Sequence, residues 1–144
     1  AIAVPLSSRT RNGVVDDMVE LAASTGWLWD PQKMAEAIRS RESLHPTAID
    51  TGVALLHPRR PLANIIAEPF LALGVTASGI PFGAERGGLT SIFFLILATT
   101  DREHLRMLAR LSRLVSDANF LTALRAATSA QEAHELIEQR EQSL

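Results

Sequence analysis

The sequence contains no cysteine, and this absence excludes several classes of structure and site. Disulfide bonds, thiolate catalysis and zinc sites built on cysteine are all ruled out. A reducing, cytoplasmic location is the expectation for such a chain. With 144 residues, 47% of them hydrophobic, the chain is long enough to bury a stable core without cross-links. We expect a single domain over residues 1–144, and the missing initiator methionine suggests that it was excised from a longer chain.

Long apolar runs are also lacking. The longest, Ile92 to Ala98, is far shorter than the roughly 20 residues that span a bilayer. The first six residues lack the basic flank and apolar stretch of a signal peptide. A net charge of -2 gives no general attraction for nucleic acid. We therefore expect neither membrane insertion nor direct binding to nucleic acid.

Three common catalytic motifs are missing as well. The chain has no phosphate-binding glycine loop with its lysine, no His-Glu-x-x-His pair and no Gly-x-Ser-x-Gly elbow. Classical nucleotide chemistry is therefore disfavoured, and we expect no metal site.

The first part of the chain predicts a short strand and two helices. Val4 to Leu6 is the candidate strand. Apolar residues at helical spacing predict a first helix from Val14 that ends near Gly26. Asp30 before Pro31 is a helix-start pair, from which a second helix runs to about Glu42.

The middle of the chain has the pattern of strands, and the last third has that of helices. Gly52 to Leu56 and Pro69 to Val75 are short apolar runs, and a loop containing Gly79, Pro81 and Gly83 follows. The uninterrupted run Ile92 to Ala98 predicts a central strand buried on both faces. Two capping boxes and one aspartate predict helix starts beyond it, at Thr100, Asp117 and Ser129.

These elements predict an α/β fold. Because a strand buried on both faces needs helices above and below it, we expect a three-layer helix, mixed sheet, helix sandwich.

Arg41 is the first candidate for chemistry. It continues the apolar stripe of Met34 and Ile38 at helical spacing, so we expect its guanidinium to be partly buried. A buried cation calls for an anion, either a carboxylate of the protein or a bound ligand. The alternative is that Arg41 only complements the carboxyl end of the helix dipole.

His104 is the second candidate. It lies in the fourth position of the helix that follows Thr100 and heads a core-facing stripe, near the positive end of the helix dipole. Such a place favours an anion. The alternative is a buried histidine that is hydrogen-bonded to a carbonyl.

His57 is the third candidate, at the end of the Gly52 to Leu56 strand. Neutral imidazole is a nucleophile near pH 7 and can carry a phosphoryl group. Arg59 and Arg60 add positive charge beside it, suited to binding phosphate or a charged partner, and His45 is expected to border the same site. The alternative is an ordinary surface histidine in a basic loop.

The segment Arg41 to His57 resembles the active-site signature of the fructose/mannitol and nitrogen-regulatory IIA proteins of the sugar phosphotransferase system. In that family an Arg-Glu pair leads to a Gly-hydrophobic-Ala-hydrophobic-Pro-His string. The resemblance continues through Gly79 to Ala84, Ile92 to Ala98, and His104 to Leu111.

The resemblance implies a role for each matching residue. His57 matches the phosphorylated histidine, His104 the second active-site histidine, and Arg41 the active-site arginine. It also implies a mixed sheet of about five strands flanked by helices. The implied activity is that of a phosphotransferase component that needs no cofactor, since the phosphoryl group comes from phosphoenolpyruvate through a phosphohistidine carrier protein. The implied acceptor is a IIB-type domain or a regulatory target.

One position departs from the family pattern. Leu56 stands where the family usually has proline, and Pro58 follows the histidine instead. We expect a differently shaped loop, which bears on the geometry of transfer. Two other functions remain open: a regulatory module whose phosphorylation state controls binding to a target, and a non-catalytic domain that holds an anion on Arg41 and His104.

Overall fold

The apolar run that begins at Ile92 forms the middle of the structure. The computed structural model describes residues 1–144. Its five strands are Ile2–Leu6 (β1), Ala48–Ile49 (β2), Val53–Leu56 (β3), Phe70–Pro81 (β4) and Leu89–Leu97 (β5). Its five α-helices are Arg11–Ala23 (α1), Pro31–Leu44 (α2), Asp101–Leu114 (α3), Ala118–Ala126 (α4) and Ala130–Gln142 (α5), and a 3-10 turn covers Ala63–Ile65.

The five strands form one mixed sheet in the order β1-β4-β5-β3-β2. The central strand β5 is parallel to β3 and antiparallel to β4. Leu95 of β5 pairs with Leu56 on one side and with Ala72 on the other. The carboxyl ends of β3 and β5 therefore meet at the same edge of the sheet.

Successive side chains of β5 point to opposite faces, and each face is covered by helices. Phe93, Leu95 and Leu97 belong to a core shared with α1 and α2. The alternate residues Ile92, Phe94 and Ile96 pack with α3, α4 and α5. The predicted three-layer sandwich with about five strands is confirmed.

The helix starts lie at the capping residues that the sequence indicates. Oδ1 of Asp30 accepts a hydrogen bond from the Lys33 amide at 3.0 Å. The hydroxyls of Thr100 and Ser129 each accept one, at 3.1 Å, from the amide three residues further on. These bonds satisfy donors that a helix leaves free at its start. None of the five helices is long and apolar enough to cross a membrane.

Strand β4 is longer than predicted. It continues through Gly79 and Pro81, where the sequence predicts a loop, and Ile80 pairs with Thr90 of β5. A Cβ on Gly79 would lie 2.5 Å from the Cβ of Leu89, so glycine here makes room for the neighbouring strand. Pro81 closes the pairing opposite Leu89 at the strand end, where a missing amide is tolerated.

Candidate active site

The sheet topology brings two histidines together. His57 directly follows β3, and His104 lies at the start of α3, which follows β5. Because β3 and β5 are parallel neighbours, both residues lie at the same edge. Their ring centroids are 4.8 Å apart, and the ring planes are inclined by 54°. Two positions separated by 47 residues in the sequence thus form one pair.

A backbone carbonyl sets the orientation of the His57 ring. Nδ1 of His57 lies 2.8 Å from the carbonyl oxygen of Leu55. Because a carbonyl can only accept a hydrogen bond, Nδ1 must carry the proton and donate it. In the neutral ring, Nε2 is then left with a free lone pair. This is the arrangement that a nucleophilic histidine requires.

Burial keeps both rings neutral. The pKa of His57 is lowered from its ordinary value of 6.5, chiefly because burial disfavours the charged form. The hydrogen bond to Leu55 opposes this shift, whereas the nearby His104 and Arg41 charges add to it. The pKa of His104 is also lowered by burial, against the raising effect of Asp101. Near pH 7 the neutral imidazole of His57 therefore predominates.

Arg41 and His57 line the same cleft, which has a volume of about 460 Å³. Arg41 lies in the last turn of α2, where its Nη1 donates to the carbonyl oxygen of His45 at 2.6 Å. This contact matches the alternative in which Arg41 complements the helix end. Arg41 takes part in none of the ion pairs of the structure, so no carboxylate of the protein neutralises it. A half-buried cation without an acidic partner is suited to an anionic ligand.

His104 is half-buried, and its own amide is already used, since it donates to the carbonyl oxygen of Thr100 at 3.0 Å. His104 itself does not line the cleft, but Leu108, one turn further along α3, does. His104 therefore contacts the site through the ring of His57.

The remaining predicted residues fall in two groups. His45 is exposed at the end of α2 and lines the cleft beside Arg41. Arg59 and Arg60 are exposed in the loop after His57 and do not line it. Their predicted contact with phosphate or a partner stays a prediction.

The cleft also contains acidic residues that the sequence did not indicate. Asp50 and Glu85 lie on its wall, opposite in charge to Arg41. Asp50 accepts a hydrogen bond from the Arg86 amide at 3.1 Å and pairs with the Arg86 guanidinium at 3.7 Å. These contacts link the segment that contains Glu85 to the Asp50 side of the cleft. No group of three or more histidine, aspartate or glutamate side chains is placed to hold a metal ion.

Glu42 is a further residue that sequence reasoning missed. It is only 5% exposed, and it continues the buried stripe of Met34 and Ile38 at a spacing of four, which was the available signal. Its Oε2 accepts from the Thr47 amide at 3.1 Å and pairs with Nη2 of Arg11 at 3.4 Å. Oε1 accepts from the Thr47 hydroxyl. The carboxylate therefore ties the end of α2 to the cleft wall at Thr47.

Replacing Glu42 with alanine is expected to destabilise the protein by about 2 kcal/mol, because the Thr47 amide and the Arg11 guanidinium lose their shared acceptor. Glu42→Gln should be milder, since it keeps the shape and one acceptor oxygen. Urea denaturation of both variants measures the change. Glu36→Ala, at an exposed position of the same helix, is the matched control. Equal stability of Glu42→Ala and Glu36→Ala would refute the bracing role.

Comparison with known proteins identifies the family. The family model described as "Phosphoenolpyruvate-dependent sugar phosphotransferase system, EIIA 2" matches residues 1–140. The chain belongs to this family. The family resemblance that the Arg41 to His57 segment indicated is thereby confirmed, and with it a place among phosphotransferase components.

Two relatives show what the chain is similar to in sequence. The fructose-specific EIIABC component of Bacillus subtilis is 34% identical over 116 residues, covering 79% of this chain. The chain spans only 18% of the length of that relative. The nitrogen regulatory protein of Bradyrhizobium diazoefficiens is 33% identical over 122 residues, covering 82% of this chain and 78% of that protein.

A solved structure agrees with the fold. In the complex of enzyme IIA mannitol and phosphorylated enzyme IIB mannitol from Escherichia coli, the matched chain superposes with a TM-score of 0.83 at 20% identity. The match covers 96% of this chain and 94% of that chain. The helix, sheet, helix architecture is therefore shared with that solved structure.

Proposed function

We propose that this chain is a phosphoryl carrier in which His57 accepts a phosphoryl group on Nε2 and passes it on. The observation that carries the proposal is the state of the His57 ring. Its Nδ1 is held by the Leu55 carbonyl, and burial lowers its pKa, so that Nε2 is an available nucleophile. The ring lines a cleft that holds an unneutralised arginine.

The proposed transfer proceeds in line. Nε2 of His57 attacks the phosphorus of a phosphohistidine on the donor, and the Nε2–P bond forms as the donor's N–P bond breaks. The donor nitrogen keeps the electron pair of the broken bond. Nδ1 of His57 retains its proton against the Leu55 carbonyl, which stabilises the charge that develops on the ring.

Arg41 and His104 have separate roles in this scheme. The guanidinium of Arg41 binds the equatorial oxygens of the phosphoryl group, where negative charge is concentrated in the transition state. His104 adjoins His57 as a neutral ring before transfer, which avoids repulsion between two cations. After transfer, the dianion beside it favours a protonated His104. No metal or nucleotide takes part in these steps.

The proposed donor is a phosphohistidine carrier protein, and the proposed acceptor is a IIB-type domain. The solved complex of a related IIA protein with a phosphorylated IIB supports this choice of acceptor. A second candidate function is regulatory, with the phosphorylation state of His57 controlling binding to a target. The 33% identity to a nitrogen regulatory protein supports it. Release of label to a IIB domain favours relay, and phosphorylation-dependent capture of another protein favours regulation.

Leu56 is the position at which this chain departs from the family pattern beside the nucleophile. It is completely buried in β3 and pairs with Leu95, directly before the nucleophile. Leucine in place of the family's usual proline changes how the strand presents His57. Because in-line transfer is sensitive to the approach angle, we propose that Leu56 sets a lower rate than proline would.

Label transfer tests the proposed function. The chain is incubated with carrier protein that has been phosphorylated from labelled phosphoenolpyruvate, and acid-labile, base-stable phosphate on the chain is measured. The proposal predicts rapid, stoichiometric labelling without added metal. A wild-type chain that remains unlabelled would overturn it.

Stability and phosphorylation should both decline on the acid side of neutral pH. At pH values well above 6.5 both rings are neutral in the folded and unfolded states, and stability is at its full value. As the pH falls through 6.5, the unfolded chain binds protons that the folded chain resists, so the free energy of unfolding falls. Urea titrations between pH 8 and 5 measure this loss, which should be smaller in His57→Gln/His104→Gln. The rate of labelling should fall at a lower pH than 6.5, because it depends on the lowered pKa of His57 in the folded protein.

A further inference from the structure

The two tryptophans of the chain lie on one loop, and both are exposed. Trp27 and Trp29 connect α1 to α2, with 41% and 63% of their surfaces accessible. They are the only tryptophans in the sequence. Large exposed aromatic side chains are uncommon on a protein surface and are enriched where proteins bind one another. Nothing in the proposed transfer chemistry uses them.

The loop is held rigidly. Trp29 donates its amide hydrogen to the Ile65 carbonyl at 2.7 Å, and the Trp27 carbonyl accepts from the Ala67 amide at 2.8 Å. Leu28 between them is buried. The Trp27 ring packs edge-on against Phe70, with centroids 5.5 Å apart. The side chains are thus pre-organised, which lowers the entropy lost when a partner binds.

This aromatic surface, consisting of Trp27, Trp29 and Phe70, lies at the sheet edge that carries His57. Phe70 pairs with Leu97 at the end of β5, and β3 is the next strand beyond. Two strand spacings put Phe70 roughly 10 Å from the end of β3 across the sheet. Helix α2 gives a second distance to the site. It begins at Pro31, directly after the tryptophan loop, and reaches Arg41 ten residues later, which puts the loop roughly 15 Å from Arg41.

The segment that connects His57 to the 3-10 turn carries positive charge. Arg59 and Arg60 follow His57 and precede the 3-10 turn that binds the tryptophan loop. Both are exposed and take part in no ion pair of the structure. A standard interface of about 800 Å² on each partner is about 30 Å across, enough to cover His57, the two arginines and the aromatic surface together.

We propose that the aromatic surface, with Arg59 and Arg60, is the docking site of the phosphorylated protein that donates its phosphoryl group to His57. The inference rests on the proposed function. Apolar contact on Trp27 and Trp29 anchors the donor, and the two arginines attract the negative charge that its phosphoryl group brings. The surface determines which donor binds and leaves the chemistry at Nε2 unchanged.

Steady-state kinetics of phosphoryl transfer test this surface. Transfer from the phosphorylated carrier protein is measured for the wild-type chain and for the variants Trp29→Ala, Trp27→Ala/Trp29→Ala and Arg59→Ala/Arg60→Ala. The double tryptophan variant is expected to raise KM for the carrier about 30-fold with little change in kcat, as expected for loss of an interface anchor. The arginine variant should raise KM and weaken its dependence on salt. Leu89→Ala, an exposed apolar residue at the opposite end of β5, is the control.

Two readouts separate docking from folding and chemistry. The hydrolysis rate of phosphate on His57 should be equal in the wild type and the two tryptophan variants, because hydrolysis needs no partner. In Trp29→Phe the remaining Trp27 is the sole tryptophan, and its fluorescence should change when unphosphorylated carrier is added. Trp29→Ala replaces the more exposed side chain and keeps the Phe70 contact, so it guards against misfolding.

Unchanged KM in both tryptophan variants would overturn the docking surface while leaving the proposed function intact. A wild-type chain that takes no label would overturn both.

Discussion

Replacing His57 with alanine is expected to abolish labelling by the phosphorylated carrier protein completely. The variant has no ring nitrogen at the end of β3, so the covalent intermediate cannot form. His57→Gln should be equally inactive, because an amide is not a nucleophile, although it preserves most of the volume. Gel-resolved label after base treatment measures the loss.

The control for this experiment is another histidine of the chain. His134 lies on the exposed face of α5, where its Nε2 is 2.9 Å from Glu138. His134→Gln should be labelled as rapidly as the wild type. Base-stable label that persists in His57→Ala would place the phosphoryl group on another residue and contradict the assignment.

Replacing Arg41 with alanine is expected to lower the maximal rate of phosphoryl transfer by about 10²- to 10³-fold, the usual effect of removing one preorganised donor from a transition state. The reason is that Arg41 is the cation of the cleft that no carboxylate neutralises. Arg41→Lys keeps the charge but loses the planar fork, so it should recover only part of the rate. Rapid-quench kinetics at saturating carrier measure the effect.

Arg113→Ala is the matched control for Arg41. It removes the same charge from an exposed position in the last turn of α3, away from His57. Its rate should equal that of the wild type. If Arg41→Ala transferred at the wild-type rate while remaining folded, the contact of Arg41 with the His45 carbonyl would be its whole role, as the helix-end alternative holds.

The sequence predicted the fold well wherever an element is determined by the residues of one short segment. The uniformly apolar Ile92 to Ala98 run predicts a central strand, since no exposed strand keeps such a composition. Thr100 and Ser129 mark helix starts because a capping bond spans only three residues. The extension of β4 through Gly79 has no such signal. Its stability comes from pairing with β5, which overrides the local preference of glycine and proline for a loop.

Some residues of the candidate site have a local sequence signal, and others depend on contacts between distant segments. Local signals pointed to His57, His104 and Arg41 one at a time, and the family resemblance grouped them in one active site. The sheet topology explains why the two histidines meet. Glu42 was missed because its partner Arg11 lies 31 residues away and the partly buried pair depends on the packing of α1 against α2. The aromatic surface was missed for a related reason, since the backbone contacts of Trp29 with Ile65 expose the ring.

The most direct test of the central claim is to determine which nitrogen bears the phosphoryl group. Long-range ¹H–¹⁵N NMR correlation on the phosphorylated, ¹⁵N-labelled protein identifies the substituted ring atom. The account predicts a single phosphohistidine, at Nε2 of His57, with Nδ1 remaining hydrogen-bonded to the Leu55 carbonyl. Phosphate on Nδ1 of His57, or on His104, would contradict it.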